Sequence, residues 1–528
     1  MSRASSRVSG IGTKHVIFLA AENGALPGGK VGGVGDVVRD LPAALAKLGW
    51  QATVLTPSYG VFSALPGARR IGSLDVPFAG RSETVEVYEA VPPKGGVSQL
   101  VFEHPRFSAG GLGRIYSDDE DDGPFATDAT RFAFLGATAA RWIRDLETAP
   151  DVLHLHDWHA AFYCLFRSFA PDYDLLAAIR TVFTIHNLSY QGTRPLDGHA
   201  SSLTAWFPDL DVDPGLVGDP HSPDCINPMA LAIRTCDCVS TVSPTYAREI
   251  LEPSDPARGF IGGEGLEHQL GNAARGGRLV GILNGCDYSG APGRRPDWHD
   301  LTGLAAWQVN VWRDDAPEDP AHRAARDRLL ALPKHRPEHV LVSIGRLVRQ
   351  KVSLFLEELE DGRTALEHLL DTLGSRGLLI MLGSGEAAYE RRVTAIAQRR
   401  EQLLFLRGYS EMLSEALYPG GDLFLMPSSF EPCGISQMLA MRAAQPVVAH
   451  ATGGLCDTIE DGRTGFLFSG ATSRAQAAAF VARVQEALAL KSSDKTEWEN
   501  LRIRAASKKF DWTSSARDTI ARLYEPQD

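Results

Sequence analysis

Leu423-Phe424-Leu425-Met426-Pro427-Ser428-Ser429-Phe430-Glu431-Pro432-Cys433-Gly434-Ile435-Ser436-Gln437 decides the fold. Leu423–Met426 is an apolar run of strand length. Gln437 to Ala443 has helical character. The stretch between them carries a carboxylate, a proline and a small-residue turn. A polar loop between a buried strand and a helix sits at the carboxyl end of that strand, where open α/β sheets bind ligands. Glu431 and Cys433 are therefore candidate site residues.

The same pattern recurs along the chain. Short apolar runs alternate with amphipathic stretches, as in parallel sheets built from βα units. Strands are predicted at Val16–Ala20, Ala52–Leu55, Val152–Leu155, Thr181–Ile185 and Val239–Val242. A second set lies at Val340–Ile344, Leu378–Leu382, Leu403–Leu406, Leu423–Met426 and Pro446–Ala449. With 528 residues the chain exceeds one ordinary core. The expectation is an α/β protein of two Rossmann-like domains, 15–284 and 338–508. A tail (1–14) is expected to be disordered, 285–337 to be a linker with surface helices, and 509–528 to be a final helix.

The formal charge of −12 argues against nucleic acid and anionic membranes as partners. An anionic substrate would need local cations. Seven scattered cysteines, an odd number, read as free thiols and a cytoplasmic location. No signal peptide and no apolar run of membrane-spanning length is evident. Ser117–Gly123 is acidic but has Ala129 where a calcium loop needs a closing carboxylate, so a solvated loop is expected. Asp209-Leu210-Asp211-Val212-Asp213 leaves open a metal-dependent enzyme.

Other strand ends add chemistry. After the first strand come Glu22 and the turn Lys30-Val31-Gly32-Gly33-Val34-Gly35-Asp36. Asp36 reads as an N-cap, with Pro42 kinking the following helix or starting a new turn. A glycine-rich turn into a helix is a candidate anion site, with Lys30 at its mouth. His156-Asp157-Trp158-His159 and His186-Asn187 follow two further strands, and such a mixture of polar and aromatic groups suits a sugar. Arg346 and Lys351 follow Ile344 and offer a phosphate a planar fork and a point charge. Thr452-Gly453-Gly454 is a second candidate phosphate nest.

Read together, KVGGVGDV (30–37), HLHDWHA (154–160), HNLSYQG (186–192), VSPTYAREI (242–250), NGCD (284–287), RLVRQK (346–351), FEPCG (430–434) and TGGLCDT (452–458) resemble the bacterial glycogen synthase and plant starch synthase family. The motifs occur in that family's order and span Lys30 to Thr458. The resemblance implies a GT-B fold, two Rossmann-like domains facing across a cleft. It also implies a retaining glucosyltransferase that moves glucose from ADP-glucose to an α-1,4-glucan, with no metal and no cofactor.

By the same resemblance, Lys30, Gly32 and Gly33 contact the donor. Asp157, His186 and Asn187 hold the transferred glucose, and Arg346 and Lys351 neutralise the leaving diphosphate. Glu431, Cys433, Thr452, Gly453 and Gly454 form the second domain's side of the pocket. Asn284 and Tyr409 match further family positions, as does Glu22, although Asn23–Gly29 is longer than expected. Val352, Ser429 and Ala230 stand where the family has Gly, Arg and Lys. Retention by front-face attack or through a Glu431 nucleophile is open at this point. So are UDP-glucose as donor, another acceptor, and a non-catalytic glucan-binding role.

Overall fold

The structure, a computed structural model, describes residues 13–117, 119, 125–288 and 294–525. The chain divides into two compact units. The first comprises 1–241, 265–282 and 512–528; the second comprises 242–264 and 283–511. Most of the expected tail and of the acidic loop lies outside the described residues. Within that loop, Asp119 accepts the backbone N–H of Thr127 at 2.8 Å.

The first unit is organised by a nine-stranded sheet. Its strands, with a small separate pair, are β1 (His15–Leu19), β2 (Gln51–Pro57), β3 (Arg69–Phe78), β4 (Arg81–Lys94), β5 (Val97–Glu103), β6 (Val152–His156), β7 (Arg180–Ile185), β8 (Arg194–Pro195), β9 (Cys225–Ile226), β10 (Cys238–Thr241) and β11 (Leu279–Gly281). The order is β11-β10-β7-β6-β1-β2-β5-β4-β3, with β8 and β9 paired separately. β3, β4 and β5 are antiparallel neighbours, and the other pairings in the large sheet are parallel. β1 is flanked by β2 and β6, so strand order reverses beside it. The loops after β1 and β6 therefore lie at the switch point, where such sheets bind ligands.

The second unit holds an all-parallel sheet. Its strands are β12 (His339–Ile344), β13 (Gly377–Gly383), β14 (Leu403–Arg407), β15 (Leu423–Met426), β16 (Val447–His450) and β17 (Gly465–Phe468). The order is β14-β13-β12-β15-β16-β17. The reversal falls between β12 and β15, where Leu341 pairs with Leu423. The loops carrying Arg346 and Glu431 leave those two strands.

Each core follows from its pattern. In the first unit, Val16, Phe18, Val54 and Val152 pack with Val37, Val38, Leu41 and Leu45 of helix Gly33–Lys47. Trp512, Ala516, Leu523 and Tyr524 join that core. They lie on a helix at Trp512–Thr519 and the π-helical turn that follows it at Ile520–Tyr524. In the second unit, Leu341, Leu379, Phe405, Leu425 and Val448 pack with Phe355, Leu369, Phe480 and Leu501.

Two local expectations are corrected. Asp36 is not the N-cap: the helix starts at Gly33, with Gly32 as N-cap, and Asp36 lies in its first turn. The reason is that Glu22 supplies the carboxylate for the early amides. The helix also runs through Pro42 without a break, its buried face offsetting the roughly 3 kcal/mol a helical proline costs. Within 285–337, helices Trp298–Asp315 and Pro320–Ala331 belong to the second unit and bury Trp298, Leu301, Val309, Ala321 and Ala325.

Candidate active site

In the first unit, β1 delivers Glu22 to the glycine turn. One carboxylate oxygen, Oε2, accepts the backbone N–H groups of Val31 at 2.8 Å, Gly32 at 2.7 Å and Gly35 at 3.2 Å. The other, Oε1, accepts the hydroxyl of Tyr116 at 2.8 Å. Glu22 is 2% exposed, so an unbonded carboxylate there would be costly. Part of the expected anion nest is thus filled by the chain's own carboxylate. Gly33 and Lys30 remain exposed, and Lys30 pairs with Asp36 at 2.7 Å.

β6 ends at His156, and the next residue, Asp157, has φ 56°, in the left-handed region. A non-glycine residue held there marks strain retained by its surroundings. What holds it is the turn after β7: Asp157 Oδ1 accepts the backbone N–H of His186 at 2.7 Å. Burial pushes the Asp157 carboxyl up to about 7, against the opposing pull of the His186 and Asn187 amides. Burial also pushes the His186 imidazole down to about 3, so it is neutral at physiological pH. Beneath these groups His156 Nδ1 meets His186 Nε2 at 2.9 Å. His154 contacts the Tyr524 hydroxyl at 2.8 Å and Thr184 Oγ1 at 2.6 Å. Asn187 Oδ1 accepts the Ser189 N–H at 2.9 Å, which tightens the turn after β7.

In the second unit the loops after β12 and β15 are joined. Ser429 donates its N–H to Gln350 O at 2.8 Å, and Gln350 Nε2 donates to Phe430 O at 2.9 Å. That clasp brings the Lys351 ammonium onto the Glu431 carboxylate. Glu431 is 6% exposed. Arg346 is exposed, and among the described residues it has no ion pair. Ser429, where arginine was expected, is thus spent on the clasp, and Val352 is buried in the core.

The Thr452–Gly454 turn is engaged within its unit. Gly453 donates its N–H to Glu249 Oε1 at 2.9 Å, and Thr452 Oγ1 donates to the same oxygen at 3.3 Å. Gly454 donates to Glu431 O at 3.0 Å. Gly453 has φ 44°, and a Cβ there would lie 2.0 Å from Glu431 O, so only glycine fits. The expected phosphate nest is therefore occupied at Gly453 by a carboxylate, and the turn buttresses the loop that bears Glu431.

The Cys433 thiol is buried, which pushes its pKa up, while the Asn284 backbone amide opposes the rise. Tyr409 is 68% exposed. It follows Gly408, against which the Trp312 ring packs closely. Trp312 in turn stacks on His322 at 5.9 Å.

The Asp209–Asp213 run has a structural use: Asp213 Oδ1 caps the Gly215 N–H at 2.8 Å. Among the described residues, no group of three or more His, Cys, Asp or Glu is placed to hold a metal ion. No helix among them is long and apolar enough to cross a membrane.

Sequence reasoning missed Tyr116 and Glu249, and it named His156 only as one of a cluster, without its contact to His186. Glu249 and His156 lie inside quoted motifs, where a buried carboxylate or imidazole could have been suspected. Tyr116 lies 94 residues from Glu22 and carries no local signal.

Residues 15–272 match the starch synthase catalytic domain family, and residues 338–489 match the glycosyl transferases group 1 family. The chain is 32% identical over 518 residues to a glycogen synthase of Gloeobacter violaceus, covering 97% of this chain and 98% of that one. It is 34% identical over 513 residues to a glycogen synthase of Anaeromyxobacter sp. strain Fw109-5, covering 95% and 97%. Among solved structures it is similar to the catalytic domain of starch synthase IV from Arabidopsis thaliana bound to ADP and acarbose. That likeness has a TM-score of 0.74 at 28% identity, over 97% of this chain and 98% of that one. A sucrose-phosphate synthase from Thermosynechococcus elongatus shares the fold, with a TM-score of 0.55 at 17% identity over 96% and 97%.

Proposed function

This chain belongs to the glycogen synthase family and is a glycosyltransferase of the GT-B fold, and we propose that it moves glucose, with retention, from ADP-glucose to the non-reducing end of an α-1,4-glucan. The observation that carries the donor and acceptor is the likeness, over nearly the whole chain, to a starch synthase domain bound to ADP and acarbose. A nucleotide sugar and a glucan are the corresponding substrate classes. A cytoplasmic location fits seven cysteines that are all free thiols.

The roles proposed for the residues follow from their chemistry. Departure of a diphosphate builds negative charge on the leaving oxygens and positive character on the sugar. Arg346, exposed and without an ion pair among the described residues, and Lys351 stabilise the first. Asp157, His186 and Asn187 hold the glucose, with Asp157 also fixing the backbone of the other two. Lys30 and Gly33 meet the donor, while Glu22 shapes the turn that presents them. Glu431 sets the position of Lys351 and supplies negative charge near the sugar. Thr452, Gly453 and Gly454 hold the Glu431–Cys433 stretch in place. Asn284 and Tyr409 are proposed as further ligand contacts.

The test is glucose incorporation into a glycogen primer by purified protein without added metal, comparing ADP-glucose with UDP-glucose. Incorporation from ADP-glucose in clear preference supports the proposal. Preference for UDP-glucose would replace the donor, and glucan binding without transfer from either would replace the reaction with a binding role.

A further inference from the structure

We propose that His156 is a positioning residue that fixes the ring proton of His186 on Nδ1, so that His186 meets its ligand as a hydrogen-bond donor. The inference rests on the reading above that His186 faces the transferred sugar. Its physical basis is separate from that reading. His156 Nδ1 and His186 Nε2 lie 2.9 Å apart, both on buried rings. Burial lowers the pKa of both, so neither ring is an imidazolium at neutral pH. Two neutral imidazoles in contact share one proton along the line between them.

The two ways of placing that proton are not equal. If His186 carried it on Nε2, His156 would accept at Nδ1, and its own proton would sit on Nε2. That atom is buried and has no hydrogen-bond partner among the described residues. The result would be an orphaned buried N–H, the rarer kind of unpaired group in folded proteins. If His156 donates from Nδ1 instead, its Nε2 is a bare lone pair and no donor is stranded. His186 then accepts at Nε2 and must carry its proton on Nδ1. The state of one ring nitrogen is set by the bond the other makes.

The surroundings hold His156 in this role. His154 stacks on it at 4.4 Å with the rings 28° apart, and Phe18 packs at 5.4 Å and 13°. His154 is itself held by Tyr524 on one nitrogen and Thr184 on the other. Thr184 continues to Ser240 Oγ at 2.6 Å. The stack leaves the His156 ring little room to rotate. On the reading above, a neutral Nδ1–H on His186 offers a sugar hydroxyl a donor that carries no charge needing solvation.

The experiment uses full-length protein labelled with 15N-histidine. Long-range 1H–15N correlations report which nitrogen of each ring is protonated, and the His186 signals are those lost in His186→Gln. Protonation at Nδ1 in the unaltered protein, with Nε2–H appearing in His156→Leu, is expected. Protonation of His186 at Nε2 in the unaltered protein overturns the proposal. In the transfer assay, His156→Leu is expected to lower kcat about tenfold or more with a smaller change in KM. His156→Asn, whose amide reaches the Nδ1 position, is expected to restore most of it. Equal kcat for His156→Leu and the unaltered protein would also overturn the proposal. If His156→Leu fails to fold, the resonances of the unaltered protein and His156→Asn still decide. Should no donor give transfer, the functional reading fails while the tautomer result stands or falls by itself.

Discussion

Glu22 accepts the backbone N–H of Gly32 at 2.7 Å and thereby turns a potential anion nest into a rigid presenting loop. The same oxygen serves Val31 and Gly35, so one carboxylate fixes the geometry of the whole turn. Replacing it with alanine would strand three amides. We expect Glu22→Ala to lose about 2–3 kcal/mol of stability, measured by urea unfolding, and to raise the KM for donor. Tyr116→Phe should cost only about 1 kcal/mol, because it removes a single bond to the carboxylate. Equal stability of all three proteins would refute this account of the loop.

Lys351 and Glu431 form the ion pair at the centre of the second unit's loops. Lys351→Ala is expected to reduce kcat roughly 100-fold or more, since the role proposed for Lys351 is to place a fixed positive charge beside the leaving group. Steady-state kinetics with saturating donor would show it, and near-normal turnover would remove Lys351 from that role. Glu431→Ala is likewise expected to abolish most transfer.

Asp157 predicts a trade between stability and activity. Its carboxyl is pushed up to about 7 in the folded chain, against about 3.9 when unfolded. Between those values the folded state binds more protons, so stability falls as pH rises from about 4 to about 7. Asp157→Asn removes that dependence. The variant should be more stable than the unaltered protein at pH 8, yet transfer glucose poorly. Thermal unfolding at pH 5 and pH 8 tests the sign.

Asp422 predicts the opposite trend. It is 3% exposed and meets Arg295 at 3.0 Å, Arg336 at 2.9 Å and Lys491 at 3.0 Å. Burial alone would raise its pKa, but these cations and the Val340 amide outweigh that and lower it. A lowered folded pKa gives stability that is complete above the unfolded value and is lost as pH falls through the folded one. Asp422→Asn should therefore cost about 3–5 kcal/mol at pH 7, with the gap closing below about pH 4. A gap that stays constant with pH would show that the carboxylate's charge is not the source.

The carboxyl ends of the strands were legible because buried parallel strands read as apolar runs and polar residues follow them abruptly. Leu423–Met426 is the clearest example, matching β15 at both ends. What escaped notice was of two kinds. β3 and β4 form a half-exposed hairpin with Pro77, Pro92 and Pro93 inside it, so no unbroken apolar run marks it, although Leu74-Asp75-Val76-Pro77-Phe78 alternates. Contacts between distant segments left no local trace either. Tyr116 on Glu22, Glu249 on Gly453 and Tyr524 on His154 each depend on the completed fold. At the glycine turns the partners differ in reach: the carboxylate on Gly453 comes from Glu249, far away in sequence, whereas Glu22 stands shortly before Gly32 and only the folded turn shows that it accepts the amides there.

The return of residues 512–525 to the first unit has a consequence for how the protein is made. Trp512, Leu523 and Tyr524 are core residues of a unit whose other strands were synthesised hundreds of residues earlier. Domains generally fold in order from the N-terminus as they emerge. Here the unit that begins to leave the ribosome first is the last able to close, because its final core residues are translated after the whole of the second unit. Until Tyr524 has been made, the surface it covers beside His154 must be shielded by other means. A truncation that removes Leu523 and Tyr524 would damage the core built by the opposite end of the polypeptide.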